Sequence, residues 1–179
     1  MPAHELGPRA REIAIEARAL LNERGPEALT MRAVAERLGI QAPSLYKHFA
    51  SKEALEAAVV TLALEDFAER FEAAAAAPKG DRLGALAHAY RAYAHAMPHE
   101  YQLVNDRPLP RDLLPEGLEA RAAAPLLRAV GTLERARSAW AFAHGMVSLE
   151  LNGRFPPDAD LEAAWEDGIR ALRRTPRRT

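Results

Sequence analysis

Residues 29–55, LTMRAVAERLGIQAPSLYKHFASKEAL, constrain this chain more than any other stretch, because they leave room only for short helices around a tight turn. Thr30 is an N-cap residue, and Val34, Ala35 and Leu38 put an apolar stripe on the helix it starts. Gly39 ends that helix, since glycine takes the left-handed conformation past a helix end without a steric cost. A turn follows, and Pro43 suits the first turn of a new helix, where a missing N–H costs no hydrogen bond. Leu45 and Phe49 lie one turn apart and point inward, which leaves Ser44, Tyr46, Lys47 and His48 to point out. Ser51 then caps a third helix, with Glu53 in its first turn matching the dipole. Two short helices about a glycine turn form a helix-turn-helix, whose second helix is sized for the DNA major groove.

The residues Thr30, Val34, Ala35, Leu38, Gly39 and Ile40, then Pro43, Ser44, Leu45, Tyr46, His48 and Phe49, then Lys52 and Leu55, resemble the DNA-binding module of the tetracycline-repressor-like family of bacterial regulators. With the helix before it, the resemblance spans about the first third of the chain. It implies that Tyr46, His48 and Lys52 contact the operator backbone. A phenol, an imidazole and an ammonium at this edge of the module suit phosphate oxygens. Thr30, Arg32 and Pro43 complete the expected DNA face. Base reading falls to Gln41, Ala42, Ser44 and Lys47: Gln pairs with adenine, Lys with guanine, and Ala meets a thymine methyl. The bland alternative for Tyr46 is a core aromatic closing the three-helix module.

The net charge of −1 does not oppose this reading. No acidic residue falls between Glu36 and Glu53, yet Arg37, Lys47, His48 and Lys52 do, and phosphate attraction is local under cellular screening. Ala, Leu, Glu and Arg dominate, β-branched residues are few and no alternating strand pattern occurs, so the fold should be all-α. Without cysteine the chain has neither disulfides, nor a thiolate zinc site, nor a cysteine nucleophile. No apolar run is long enough for a membrane span and no signal peptide opens the chain, so a cytoplasmic location is expected. Glycine-rich phosphate loops, nucleophile elbows and paired-carboxylate motifs are missing, and an enzyme is not expected.

The periodicity predicts about nine helices in total. An amphipathic helix over 8–24, with Ile13, Ala17, Leu20 and Leu21 on one face, braces the two short ones. A long helix from Ser51 to about Ala77 leads into a helical-bundle regulatory domain. Further helices are expected over 81–97, 99–104, 116–130, 132–152 and 159–173, with an irregular proline-rich loop over 105–115. Pro125 should kink or split its helix. Arg170, Arg173 and Arg174 suit the C-terminal end of the last one. The division expected is 1–56 for DNA binding and 57–179 for ligand binding and dimerisation.

Trp140, His144, Gly145 and then Leu149, Glu150, Leu151 and Gly153 are similar to the C-terminal ligand-binding and dimerisation domain named for its Trp-His-Gly motif, over about 83–172. The resemblance implies a homodimer, held through Leu133, Trp140, Ala141, Val147, Leu151, Leu161, Trp165 and Ile169 on the last two helices. It also implies a small-molecule effector, apolar or aromatic because few charges point that way apart from Arg91 and Arg107. Its expected walls are Tyr90, Tyr93, Met97, Tyr101, Trp140 and His144, with the loop after Asn105 as a lid. Trp140 and His144 read equally well as core or interface. His95 and His99 have chelating spacing, but Pro98 breaks the helix between them, so neither a metal nor a cofactor is expected. The function these observations support is a ligand-responsive repressor that binds a near-palindromic double-stranded operator as a dimer. The alternative is a helical ligand-binding or interaction protein with a vestigial helix-turn-helix.

Overall fold

A computed structural model describes residues 6–173, so Arg174 lies outside the described residues. Among these, nine α-helices occur and no strand. They run α1 (Pro8–Arg24), α2 (Met31–Arg37), α3 (Ala42–Leu45), α4 (Lys52–Ala75), α5 (Arg82–Ala96), α6 (Pro98–Asn105), α7 (Leu118–Val130), α8 (Leu133–Leu151) and α9 (Leu161–Arg173). The chain divides into two compact units, Met1–Phe67 with Met97–Glu119, and Ala68–Ala96 with Ala120–Thr179. By packing, α6 and the proline-rich segment group with the first unit.

In the first unit, α1 buries Ile13, Ala14, Ala17, Leu20 and Leu21 and packs on α2, which packs on α3; Val34, Ala35, Leu45 and Phe49 are buried there. The cap residues act as the sequence predicts. Thr30 Oγ1 accepts from the Ala33 N–H at 3.1 Å, and Ser51 Oγ from that of Ala54 at 3.3 Å. Gly25 closes α1 at φ 81°.

A charged cluster is also buried here. Glu100 of α6 has 0% exposure, yet it accepts from Arg18 Nε and Nη2 at 2.6 and 2.8 Å and from Asn22 Nδ2 at 2.9 Å. The Arg18 guanidinium also donates to Asp66 of α4. Burial disfavours its charge, but the hydrogen bonds to Glu100 and Asp66 outweigh that and push its proton affinity above the ordinary arginine range. One arginine thus ties α1 to both α4 and α6 within this unit. A buried carboxylate is tolerable only when paired and hydrogen-bonded in this way.

In the second unit, Leu83, Leu86, Tyr90 and Tyr93 of α5 are buried, as are Ala139, Ala143 and Val147 of α8 and Trp165 and Ile169 of α9. The Phe142 and Trp165 rings meet edge to face, 5.5 Å between centroids. Gly168 makes room for that ring: a Cβ there would stand 2.1 Å from Phe142 Cζ. Pro125 does not split α7. It is itself buried, so packing holds the turn despite the lost N–H. The loop over 105–115 is not wholly irregular, since Arg111–Leu113 forms a 3-10 turn.

Candidate nucleic-acid interface

The turn between α2 and α3 follows from Gly39. At φ 65° it lets the Ile40 N–H reach back to the Ala35 carbonyl at 3.0 Å, and the Gly39 N–H to that of Glu36 at 3.1 Å. These bonds satisfy helix-end carbonyls and turn the chain sharply. Gln41 occupies the N-cap position of α3 without a side-chain capping bond, so its amide is exposed and uncommitted to the helix. Pro43 lies in the first turn, and Leu45 is fully buried. The regular helix is shorter than the pattern suggests, ending at Leu45, but the His48 and Phe49 N–H groups still donate to the Leu45 carbonyl, both at 2.9 Å.

Burial of Leu45 and Phe49 (0% and 4% exposed) drives the intervening side chains outward. Tyr46 is 54% exposed, so it is not the core aromatic that closes the module. Lys47 and His48 are exposed beside it, together with Gln41 and Pro43, while Ala42 and Ser44 are half-buried. At the start of α2, Thr30 is exposed and its hydroxyl serves as the cap, whereas Arg32 extends into solvent and bonds Glu36 at 2.8 Å. Lys52 opens α4, half-exposed, with its ammonium 3.4 Å from Glu56.

One cation of the sequence reading belongs elsewhere. Arg37 donates to Glu16 at 2.8 Å and to both carboxylate oxygens of Glu23 at 2.7 and 2.8 Å. Those hydrogen bonds hold the guanidinium's proton more firmly than usual and depress the carboxyl of Glu23. Arg37 therefore fastens α2 to α1 and is not a spare charge for phosphate. Its three-way pairing follows from α1 chemistry that its own neighbours do not reveal.

The other expected residues are distributed unevenly. Tyr90 and Trp140 line an apolar cleft in the second unit with Phe71, Leu83, Leu126 and Ala143. His144 lies beside Trp140, 6.0 Å between ring centroids. Tyr93 is buried under the Arg70 guanidinium, 5.7 Å from its ring centre. Met97 and Tyr101 belong to the first unit, where Tyr101 is 1% exposed.

Three of the expected interface residues need correction. Val147, Trp165 and Ile169 are 0%, 0% and 5% exposed within one protomer. They build its own core and have no surface left to give a partner. Leu133 and Trp140 remain 49% and 50% exposed, Ala141 is exposed, Leu151 and Leu161 are half-buried, and Leu149 adds a further exposed side chain at 42%.

Sequence reasoning also missed the groups around Glu150. Its Oε1 accepts from Trp165 Nε1 at 2.5 Å, and its Oε2 from Arg91 Nε at 3.0 Å, with His95 Nε2 at 2.6 Å. Arg91 also bonds Glu162 at 2.9 Å and lies over the Trp165 ring. A glutamate between Leu149 and Leu151 was the only signal, and a weak one.

Comparison with known proteins agrees with this geometry. Residues 15–59 match bacterial regulatory proteins of the tetR family, and residues 83–172 match the tetracyclin repressor-like C-terminal domain. An HTH-type transcriptional regulator of Mycobacterium tuberculosis, itself uncharacterized, is 34% identical over 175 residues, covering 91% of this chain and 79% of its own. The class A tetracycline repressor from transposon 1721 of Escherichia coli is 61% identical, but only over 36 residues, 20% of this chain and 17% of that one. Among solved structures, a regulatory protein superposes with TM-score 0.73 at 30% identity, covering 92% of this chain and 94% of its own. A TetR variant from Acinetobacter baumannii AYE, in complex with minocycline, does so with TM-score 0.63 at 25% identity and 94% coverage of each chain. With an outward-facing helix-turn-helix and both of its regions matched, the chain belongs to the tetracycline-repressor-like family and is a DNA-binding transcriptional regulator.

Proposed function

We propose that the protein is a ligand-responsive repressor that binds a near-palindromic operator as a homodimer. The observation that carries the DNA half is the placement of Tyr46, Lys47 and His48 on the exposed side of a short helix anchored by Leu45 and Phe49. In this reading Tyr46, His48, Lys52, Thr30 and Arg32 meet phosphates. Gln41, Ala42, Ser44 and Lys47 meet base edges, and Pro43 sets the helix entry.

The exposed apolar side chains of α8 support dimerisation. Leu133, Trp140, Ala141 and Leu149 lie on its outer side, and in the regulator family such helices pack against their symmetry mates. Gly145 lies along the same side, and a Cβ placed there meets nothing within 4 Å of the protomer. Its lack of a side chain is therefore unused unless a second copy approaches.

The effector is assigned to the second unit. Its cleft presents Phe71, Leu86, Tyr90, Leu126 and Trp140. Its lining favours a small apolar or aromatic molecule. Minocycline binding by the Acinetobacter relative supports an effector of this general kind, though not that compound. Helix α4, which begins in the first unit and ends in the second, would carry the response. A coupling of about 1–3 kcal/mol, up to ~150-fold in DNA affinity, is ordinary for such switches.

The test starts from duplexes that the protein selects out of a random-sequence pool. Sedimentation should give two protomers per duplex, on half-sites about one DNA turn, ~34–36 Å, apart. Compounds that raise the melting temperature should then release that duplex. One protomer on an asymmetric site would defeat the dimer reading, and stabilising compounds that leave DNA affinity unchanged would defeat the switch.

A further inference from the structure

Lys52 holds the first position of α4, where a cation runs against the positive end of the helix dipole. Its partner one turn on is Glu56, with Lys52 Nζ 3.4 Å from Glu56 Oε1. Lysine four residues before glutamate is the weaker order for such a pair, so helix stability does not explain the lysine. The same Oε1 accepts from Arg107 Nη1, also at 3.4 Å. Arg107 lies just beyond α6, in the proline-rich segment that belongs to the first unit. The glutamate side chain is 17% exposed, against 41% for Lys52 and 50% for Arg107. One oxygen of a partly buried glutamate therefore serves two cations, one at the edge of the helix-turn-helix and one from a distant segment.

We propose that Arg107 is a positioning residue for DNA binding: by holding Glu56 it frees the Lys52 ammonium for a DNA phosphate. The inference rests on the reading of Lys52 as a phosphate contact. When the ammonium moves from Glu56 to phosphate, Arg107 keeps the carboxylate paired. Without Arg107, the same move leaves a partly buried anion unpaired beside the incoming phosphate, and both effects oppose binding. Arg107 itself need not touch DNA.

The test compares wild type, Arg107→Ala, Arg107→Lys, Glu56→Gln, the Arg107→Ala/Glu56→Gln pair and Lys52→Ala, all as full chains with helix content checked by circular dichroism. Fluorescence anisotropy is read on a duplex the wild type selects from a random pool. Arg107→Ala should weaken binding about three- to tenfold, the scale of one lost phosphate contact, while Arg107→Lys retains most of the affinity. Glu56→Gln should bind as tightly as wild type or more so, and in its background Arg107→Ala should have no further effect. Wild-type affinity in Arg107→Ala overturns the proposal. So does a loss that persists in the Glu56→Gln background, because Arg107 would then touch phosphate directly. Lys52→Ala separates the two layers: unchanged affinity there removes the phosphate role of Lys52 itself, whereas weakened binding there with no Arg107–Glu56 interplay removes only the role of Arg107.

Discussion

Trp165 and Glu150 share a hydrogen bond of 2.5 Å from the indole N–H to Oε1, joining the middle of α9 to the end of α8 inside the second unit. Arg91 and His95 of α5 close on the other oxygen. Three helices thus converge on one carboxylate whose side chain is 3% exposed. Burial alone would push its carboxyl up, but the bonds from Trp165, His95 and Arg91 outweigh that and leave it below the ordinary carboxylate range.

The consequence is a defined pH dependence. A carboxylate whose folded pKa is depressed contributes stability that is full above its unfolded value, ~4.3, and is lost as pH falls through the folded value. Glu150→Gln should therefore lower stability by about 1–3 kcal/mol near neutral pH, as expected when buried donors lose an ionised acceptor. The difference from wild type should shrink as pH drops below the unfolded value. Thermal melts across that range check it, and a deficit that stays constant down to the acid limit would contradict it.

Gly168 and Gly145 should respond in opposite ways. Gly168→Ala drives a methyl into the Phe142 ring and disturbs its contact with Trp165. Overpacking of this kind costs about 1–3 kcal/mol, read as a lower melting temperature. At Gly145 a Cβ meets nothing within 4 Å in the protomer, which leaves a larger side chain in Gly145→Leu room to point outward. That variant should leave protomer helicity intact while shifting sedimentation toward monomer. Equal stability loss in both variants would contradict the reading of Gly145 as an interface position.

Trp140→Glu tests the same surface from its exposed centre. A carboxylate in a desolvated symmetric interface lies near its own copy across the two-fold, and like charges placed so cost several kcal/mol. The variant should be monomeric at micromolar concentration, whereas Trp165→Phe, inside the protomer core, should remain dimeric. A dimeric Trp140→Glu would place the interface away from this part of α8.

Much of this architecture was legible because it rests on local chemistry. Thr30 and Thr132 cap helices by their own hydroxyls, Gly39 supplies the left-handed turn, and Leu45 and Phe49 set by spacing which side of α3 is buried. What was not legible depends on who the neighbour is. Val147, Trp165 and Ile169 sit on apolar faces, and periodicity cannot say whether such a face is covered by the same chain or by another. Arg37 reads as a cation of the DNA face, and nothing local marks Arg18, Glu100 or Glu150 as buried, because only the folded chain brings their partners together. Aromatic character likewise does not show that Tyr101 is buried with α6 in the first unit.

The two classes of DNA contact should separate by their dependence on sequence and salt. Gln41→Ala and Lys47→Ala should relax base preference at particular positions, with about 1–3 kcal/mol lost per good base contact. His48→Ala should weaken binding to all duplexes alike. Repeating the random-pool selection with each variant checks this. An unchanged consensus for both Gln41→Ala and Lys47→Ala would remove them from base reading.

The most direct test of the central claim is the affinity of Tyr46→Ala for the wild-type-selected duplex, measured against salt. Tyr46 is 54% exposed, so its removal should leave the fold and melting temperature unchanged. The account predicts uniformly weaker binding to selected and unrelated duplexes, by about an order of magnitude, as for the loss of a backbone-positioning contact. A Tyr46→Ala protein that folds normally and binds the selected duplex as tightly as wild type would contradict the claim that this face of α3 meets DNA.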